Sequence, residues 1–211
     1  MRYIFLHGLG QTPMDWNNTF AVMENKKDVV CPDLSKWLLN KTSCYLTLYH
    51  ALVNYCELFN EPLNLCGLSL GGILAMQYGI EHPDKVNSLV LIGTQYIMPK
   101  RLLKLQNILF RFMPNSTFSD RGFQKADFIS LCNSMTELDF QRNLKDIQCR
   151  VLIVCGEKDK ANKSASLQMK KLIPNAELVI IDNAGHEVNK DQPIELGKQL
   201  NTFFGHKNDK K

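Results

Sequence analysis

No long hydrophobic run occurs in this 211-residue sequence. The apolar stretch after Arg2, "YIFL" at 3–6, is too short for a signal-peptide core or a membrane span, so the expectation is a cytoplasmic protein with no stable membrane insertion. A cysteine framework is also missing. The seven Cys are odd in number and irregularly spaced, Cys66 and Cys155 lie inside apolar runs, and no Cys-x-x-Cys or Cys/His ligand spacing occurs. This pattern argues against a structural metal and suits a reducing compartment, where Cys packs as a small hydrophobe. Basic clusters are scarce as well. Lys and Arg total 25 against 21 Asp and Glu, and the densest basic run is the terminal "HKNDKK", which reads as a solvated end rather than a nucleic-acid footprint. Internal repeats and low-complexity segments are absent.

What is present is an ordinary globular composition, 45% hydrophobic and 22% charged, in a length that supports one domain over residues 1–211. Short apolar runs recur: "YIFL" (3–6), "DVVC" (28–31), "LNLC" (63–66), "SLVLIG" (88–93), "VLIVCG" (151–156) and "ELVIID" (177–182). Their hydrophobicity is nearly continuous rather than alternating, which marks strands buried on both faces of a parallel sheet. Helical spacing fills the intervals, as in 45–59 with Leu48, Leu52, Tyr55 and Leu58/Phe59. The pattern predicts an α/β doubly wound sheet, with ligands bound beyond the carboxyl ends of the strands.

One interval breaks the rhythm. Residues 95–147 far exceed a simple crossover, and Pro99 and Pro114 bracket a helical run with Leu102, Leu105, Leu109 and Phe112 on one stripe. Further helix-like pieces follow near 120–133 and 137–145. The whole interval is read as a small helical lid, or cap, over the strand ends, the alternative being extra core helices far from any site. Its apolar stripe points to an uncharged, fairly apolar substrate portion. Lys100, Arg101, Lys104 and Arg111 on the same helix could attract an anionic headgroup or carboxylate, but the preferred reading is of cations reaching into water while their stems cover apolar surface. Transient contact of the lid with lipid stays open, though the run is short for a dedicated membrane anchor.

Chemistry gathers at the strand ends: "HGLG" (7–10), "GLSLGG" (67–72), "GEKD" (156–159) and "NAGHE" (183–187). Gly-x-Ser-x-Gly alone arises by chance in about one chain in fifteen of this length. Here it follows a strand and opens an apolar helix, the context a nucleophile elbow requires. The turn must lift the Ser69 hydroxyl clear of the sheet, so Gly67 and Gly71 remove bulk on either side, and Gly72 lets the helix approach the sheet. A hydroxyl needs a base within reach. His186, after the last strand, is the best placed of five histidines: His50 lies in the second helix, His82 precedes Pro83 and His206 is in the tail. The base needs an acid to orient it, and Asp159 is preferred over Asp182 and Glu157. Two amides would hold an oxyanion: Leu70 N–H after the nucleophile and Leu9 N–H in a loop that Gly8 and Gly10 let approach. The His7 side chain would hold that loop by hydrogen bonds.

With "FLHGLGQTPMDW", "CPDL", "LCGLSLGGILAMQYGIEHPDKVNSLVLIGT", "VLIVCGEKDKAN" and "AELVIIDNAGHEVNKDQP" in order, the chain resembles the α/β-hydrolase superfamily, in the branch of small cap-bearing serine esterases and lyases. The resemblance implies a Ser69–Asp159–His186 triad with the Leu9 and Leu70 amides as oxyanion hole. It departs from the family in lacking the opening antiparallel hairpin, which implies six parallel strands in spatial order 2-1-3-4-5-6. Relatives with Asp or Cys at the Ser69 position run other chemistries, which Ser disfavours.

The expected activity is hydrolysis of a carboxylic ester or thioester through an acyl-enzyme on Ser69, without metal or organic cofactor. The expected partner is a small-molecule substrate and not a nucleic acid. Two other readings share these residues: a small-molecule receptor or signalling protein of the same fold with little turnover, and a carbon–carbon hydrolase or lyase. Helix 99–113 could equally serve as a dimer surface.

Overall fold

The near-continuous apolar runs form one six-stranded sheet in which every strand is parallel to its neighbours. The computed structural model describes residues 2–118 and 122–205, so His206 and the "HKNDKK" tail lie outside the described residues. The strands are β1 (Tyr3–Leu6), β2 (Val29–Val30), β3 (Leu63–Leu68), β4 (Val86–Ile92), β5 (Arg150–Gly156) and β6 (Ala176–Ile181). Their order, β2-β1-β3-β4-β5-β6, is the one the sequence implied. The chain steps from β1 to β2 on one side and then crosses to β3 on the other. The loops after β1 and β3 therefore flank the point where strand order reverses, the usual ligand position in such sheets.

Alternate residues of each central strand feed two cores. Leu65, Leu89, Leu91, Val151 and Ile153 face one way, and Cys66, Leu68, Val90, Ile92, Leu152 and Val154 the other. Both sets are buried. This explains the continuous hydrophobicity, since neither face is left to water. At about 1.5–3 kcal/mol per fully buried large aliphatic side chain, the two layers dominate the stability of the sheet.

The first core is covered by α2 (Tyr45–Cys56), α3 (Leu70–Glu81) and α6 (Lys160–Leu172). The second is covered by α1 (Asn17–Val22), the short α7 (Val188–Asp191) and α8 (Pro193–Gly205). Helix α3 is the central one: nine of its twelve residues are buried, and Glu81 at its end is the first charge in it.

Between β4 and β5 the chain makes its long excursion, carrying α4 (Lys100–Phe112) and α5 (Lys125–Met135). A cluster of edge-to-face rings, Phe110, Phe118, Phe123 and Phe128, joins the two helices. The Tyr45 amide donates to Ser134 Oγ at 2.9 Å, fixing α5 to the start of α2. The stretch 137–145, read from sequence as helical, is instead extended where it begins. Ile97 and Asp139 form an antiparallel bridge, Phe140 N–H donates to the Tyr96 carbonyl at 2.8 Å, and a single 3-10 turn follows at Leu144–Asp146. The Asp139 carboxylate accepts from the Gln141 amide at 2.9 Å, a cap-like bond followed only by turns and that single 3-10 turn. Helix α5 also begins later than the expected 120; residues 119–121 lie outside the described residues, and a capping box between Gln124 and Asp127 fixes its start.

Candidate active site

Ser69 sits between β3 and α3 with φ +54° and ψ −114°, a region an L-residue occupies at a cost of about 1–3 kcal/mol. Its amide donates to the Ile92 carbonyl at 2.9 Å and its carbonyl accepts from Ile73 N–H at 3.0 Å, so the strained turn is held at both ends. The flanking glycines are required by close approach of backbone. A Cβ on Gly67 would lie 2.2 Å from the Gly71 carbonyl oxygen, and one on Gly71 would lie 2.1 Å from that of Leu6. The bulk they exclude would strike each other and β1 rather than Ser69. Gly72 makes room for the Thr94 hydroxyl, 2.0 Å from where its Cβ would be. As the first residue of α3, Leu70 has an amide with no acceptor inside the helix, and the helix dipole favours negative charge there.

Asp159 and His186 come together because the loops after β5 and β6 are stitched by their backbones. Glu157 N–H donates to the Ile181 carbonyl at 2.9 Å, and Lys158 N–H to that of Ala184 at 2.8 Å. His186 Nδ1 then lies 2.8 Å from Asp159 Oδ2. Asp159 is buried at the start of α6, while the His186 side chain is 42% exposed. Burial alone would raise the Asp159 pKa. Hydrogen bonds from His186 and Asn162 outweigh that and hold the carboxyl below its ordinary value. The two rivals are elsewhere. Glu157 is exposed and accepts from the Asn183 amide, and Asp182 lies in the exposed turn just past β6 rather than inside the strand.

Four residues at this site escaped the sequence reading. Asn162 donates to both Asp159 oxygens, at 2.9 and 2.8 Å, and its amide nitrogen is 3.1 Å from His186 Nδ1. Gln95 in turn donates to Asn162 Oδ1 at 2.8 Å and to the Ala161 carbonyl at 3.0 Å. Gly93, at φ +54°, leaves room under the pair, since a Cβ there would lie 3.0 Å from His186 Nδ1 and 3.3 Å from Asp159 Oδ2. Gln11, also buried, donates to Glu187 Oε1 at 3.0 Å and Asn189 Oδ1 at 3.1 Å, tying the loop after β1 to the loop that carries His186. The spacing Asp-x-x-Asn at the head of α6 was the one available signal, because an Asp opening a helix bonds amides two or three residues on.

The loop after β1 turns through a bond from Gln11 N–H to the Gly8 carbonyl at 3.1 Å. His7 is fully buried, and Leu34 N–H donates to its Nε2 at 3.0 Å. The proton is therefore on Nδ1, which donates to the Gly8 carbonyl at 3.0 Å. Burial lowers the His7 pKa, so it stays neutral. A Cβ on Gly8 would lie 3.6 Å from Ser69 Cβ, so this loop runs beside the serine.

Ser69, His186, Leu9 and Leu70 line one cavity of about 470 Å³, whose other walls come from Ile73, Met98, Leu103, Phe110, Phe128, Cys132 and Met135. Its polar groups besides the Ser–His–Asp set are Gln95, Gln106 and Asn162, and no Lys or Arg is among the described residues lining it. Burial pushes the Cys132 thiol up to about 11, so it is no rival nucleophile. A second cavity, of about 590 Å³, is bounded by Phe118, Gly122, Phe123 and Lys125, and among the described residues it shares none with the first. Among its described lining residues there is no Ser, Cys, His, Asp or Glu.

The apolar stripe read on helix α4 does not face this cavity as a whole. Leu105, Leu109 and Phe112 are exposed, and Leu102 alone of the four reaches the cavity edge. Leu103 and Phe110, on the other side of the helix, supply the wall instead.

The sequence matches the model of the alpha/beta hydrolase family over residues 3–197. The chain belongs to that family. Within it, the chain is 26% identical, across 70% of its own length and 69% of the relative's, to a Bacillus subtilis protein provisionally named 2-succinyl-6-hydroxy-2,4-cyclohexadiene-1-carboxylate synthase. It is 20% identical to human monoacylglycerol lipase ABHD6, across 95% of this chain and 74% of the lipase. Among solved α/β hydrolases, the enol-lactonase from Burkholderia xenovorans LB400 superposes with a TM-score of 0.82 at 16% identity, covering 97% of this chain and 92% of that one. At that identity the superposition speaks for the fold. No helix among the described residues is long and apolar enough to cross a membrane.

Proposed function

We propose that the chain is a serine hydrolase that cleaves the ester or thioester bond of a small, uncharged, mainly apolar substrate. The observation that carries this reading is the strained Ser69 at the head of α3, in one cavity with a His186 whose far nitrogen is 2.8 Å from a buried carboxylate. Strain at a polar residue facing a cavity costs stability and calls for a function.

In this mechanism Ser69 Oγ attacks the substrate carbonyl carbon while His186 Nε2 takes the hydroxyl proton. Asp159 accepts from Nδ1–H, fixes the tautomer and stabilises the imidazolium. The amides of Leu9 and Leu70 hold the oxyanion. Collapse expels the alcohol or thiol, which takes the proton from His186, and leaves an acyl group on Ser69. A water deprotonated by His186 then attacks the acyl carbon, and the carboxylic acid departs as Ser69 regains its proton. Residues 95–147 form the cap that closes the acyl site.

The lining also favours a substrate class. The Bacillus subtilis relative is named for a product bearing two carboxylates, and burying such groups without a cation is costly. The cavity here offers no cation among its described residues, and its apolar walls fit a neutral acyl chain of the kind the lipase's name denotes.

The test is fluorophosphonate labelling read by intact mass, on native wild type, Ser69→Ala and unfolded protein, followed by p-nitrophenyl esters and acyl thioesters of graded chain length. Single, rapid labelling of native wild type only, with turnover of neutral esters, is the expected result. Absent labelling under conditions that modify an established serine esterase overturns the proposal.

A further inference from the structure

Helix α4 carries an apolar face that the fold leaves uncovered. At 3.6 residues per turn, Leu102, Leu105, Ile108, Leu109 and Phe112 fall within an arc of about 120°. They are between 38% and 85% exposed, Phe112 most of all. The opposite side, Leu103, Asn107 and Phe110, packs inward. Leu102 belongs to both, because it also edges the cavity that contains Ser69. The bare face and the cavity wall are thus adjoining strips of one helix.

The charge on this helix has one sign. Lys100, Arg101, Lys104 and Arg111 are its four ionisable residues, with no Asp or Glu from Lys100 to Phe112. Lys100 pairs with Glu137. Arg101, Lys104 and Arg111 are exposed and make no ion pair among the described residues. Lys104 and Arg111 lie along one border of the apolar arc, and Arg101 lies within it.

We propose that this face docks reversibly on an anionic lipid surface and so presents the cavity mouth to substrate held in that surface. An apolar arc bordered by cations is the pattern of a helix lying in the plane of a lipid interface. A second copy of the chain fits less well, since two-fold packing through this face would set the cations of one α4 against those of the other. The proposal rests on the esterase reading only for its purpose. The docking itself requires no turnover.

The experiment uses Ser69→Ala protein, which leaves the lipid intact, sedimented with vesicles of phosphatidylcholine alone or with phosphatidylserine added. Binding to the mixed vesicles and little to the neutral ones is expected, falling as salt is raised. The pair Lys104→Gln and Arg111→Gln should weaken binding about 25-fold, at about fivefold per cation. Leu109→Ser with Phe112→Ser should abolish it. In the Ser69 background the same changes should leave fluorophosphonate labelling in solution unaltered, since all four side chains are exposed. Equal binding to both vesicle types, no binding to either, or a dimer in ultracentrifugation that Phe112→Ser dissociates while vesicles go unbound would each overturn the proposal. Vesicle binding by a protein that fluorophosphonate fails to label would overturn the esterase reading and leave the docking surface standing.

Discussion

The side-chain amide nitrogen of Asn162 is shared between the two oxygens of Asp159, 2.9 Å from Oδ1 and 2.8 Å from Oδ2. The same nitrogen is 3.1 Å from His186 Nδ1, so Asn162 and His186 stand side by side as donors to one carboxylate. A hydrogen bond to a charged acceptor contributes about 1.5–3 kcal/mol. Asn162→Ala should therefore slow ester turnover by roughly tenfold or more. Freed of that donor, Asp159 titrates higher, and the acid limb of the kcat profile should move to higher pH. A merely structural loss would lower kcat evenly across pH, which the full profile distinguishes.

The depressed Asp159 pKa has a consequence for stability. Because the carboxyl binds its proton more weakly in the folded protein, its contribution is present above the unfolded pKa and is lost as pH falls through the folded one. Asp159→Asn should be less stable than wild type at neutral pH. The gap in urea midpoint should close as pH drops below the usual carboxylate range, and a gap constant down to strong acid would contradict the stated cause.

Ser69 is held at φ +54°, where glycine is at ease and serine is not. Ser69→Gly should remove turnover and labelling while raising unfolding free energy by about 1 kcal/mol, read by chemical denaturation. Lower stability in this variant would show that the turn is not strained in solution.

The wall formed by Phe128, Cys132 and Met135 bounds the space available to an acyl chain. Cys132→Trp should shorten the preferred chain, raising the ratio of kcat/KM for short over long p-nitrophenyl esters by about tenfold, the scale of one or two methylenes in an apolar pocket. Fluorophosphonate labelling of the variant would show that the nucleophile is intact.

The sheet was legible because strands covered on both faces leave an unbroken apolar signature, and all six runs became strands in the implied order. The ends were less so: the β4 run begins two residues earlier than its apolar pattern, at Val86. Ser69, Asp159 and His186 could be picked out because each follows a strand, and the fold collects strand ends at one edge. Gln95 and Gln11 could not, since their partners are brought close by loop stitching with no periodic trace, and Asn162 had only the Asp-x-x-Asn spacing to mark it. The insertion was the hardest part. An amphipathic helix announces an apolar face but not which neighbour takes it, and on α4 the strongest stripe proved to be the exposed one. Around 137–145, backbone pairing of 138–140 with 96–98 outweighs a weak helical spacing.

The excursion between β4 and β5 leaves and rejoins the sheet on strands that are direct neighbours. Its two anchor points therefore stay fixed whatever lies between them, because the pairing of Ser88 with Arg150 and of Ile92 with Val154 is independent of the loop's length. Ser69, Asp159 and His186 lie outside this excursion, whereas Met98, Leu103, Phe110, Phe128, Cys132 and Met135 within it line the cavity. On the proposed mechanism, a segment of different length and shape spliced in beyond Gln95 would change the choice of acyl group while leaving Ser69, Asp159 and His186 in place.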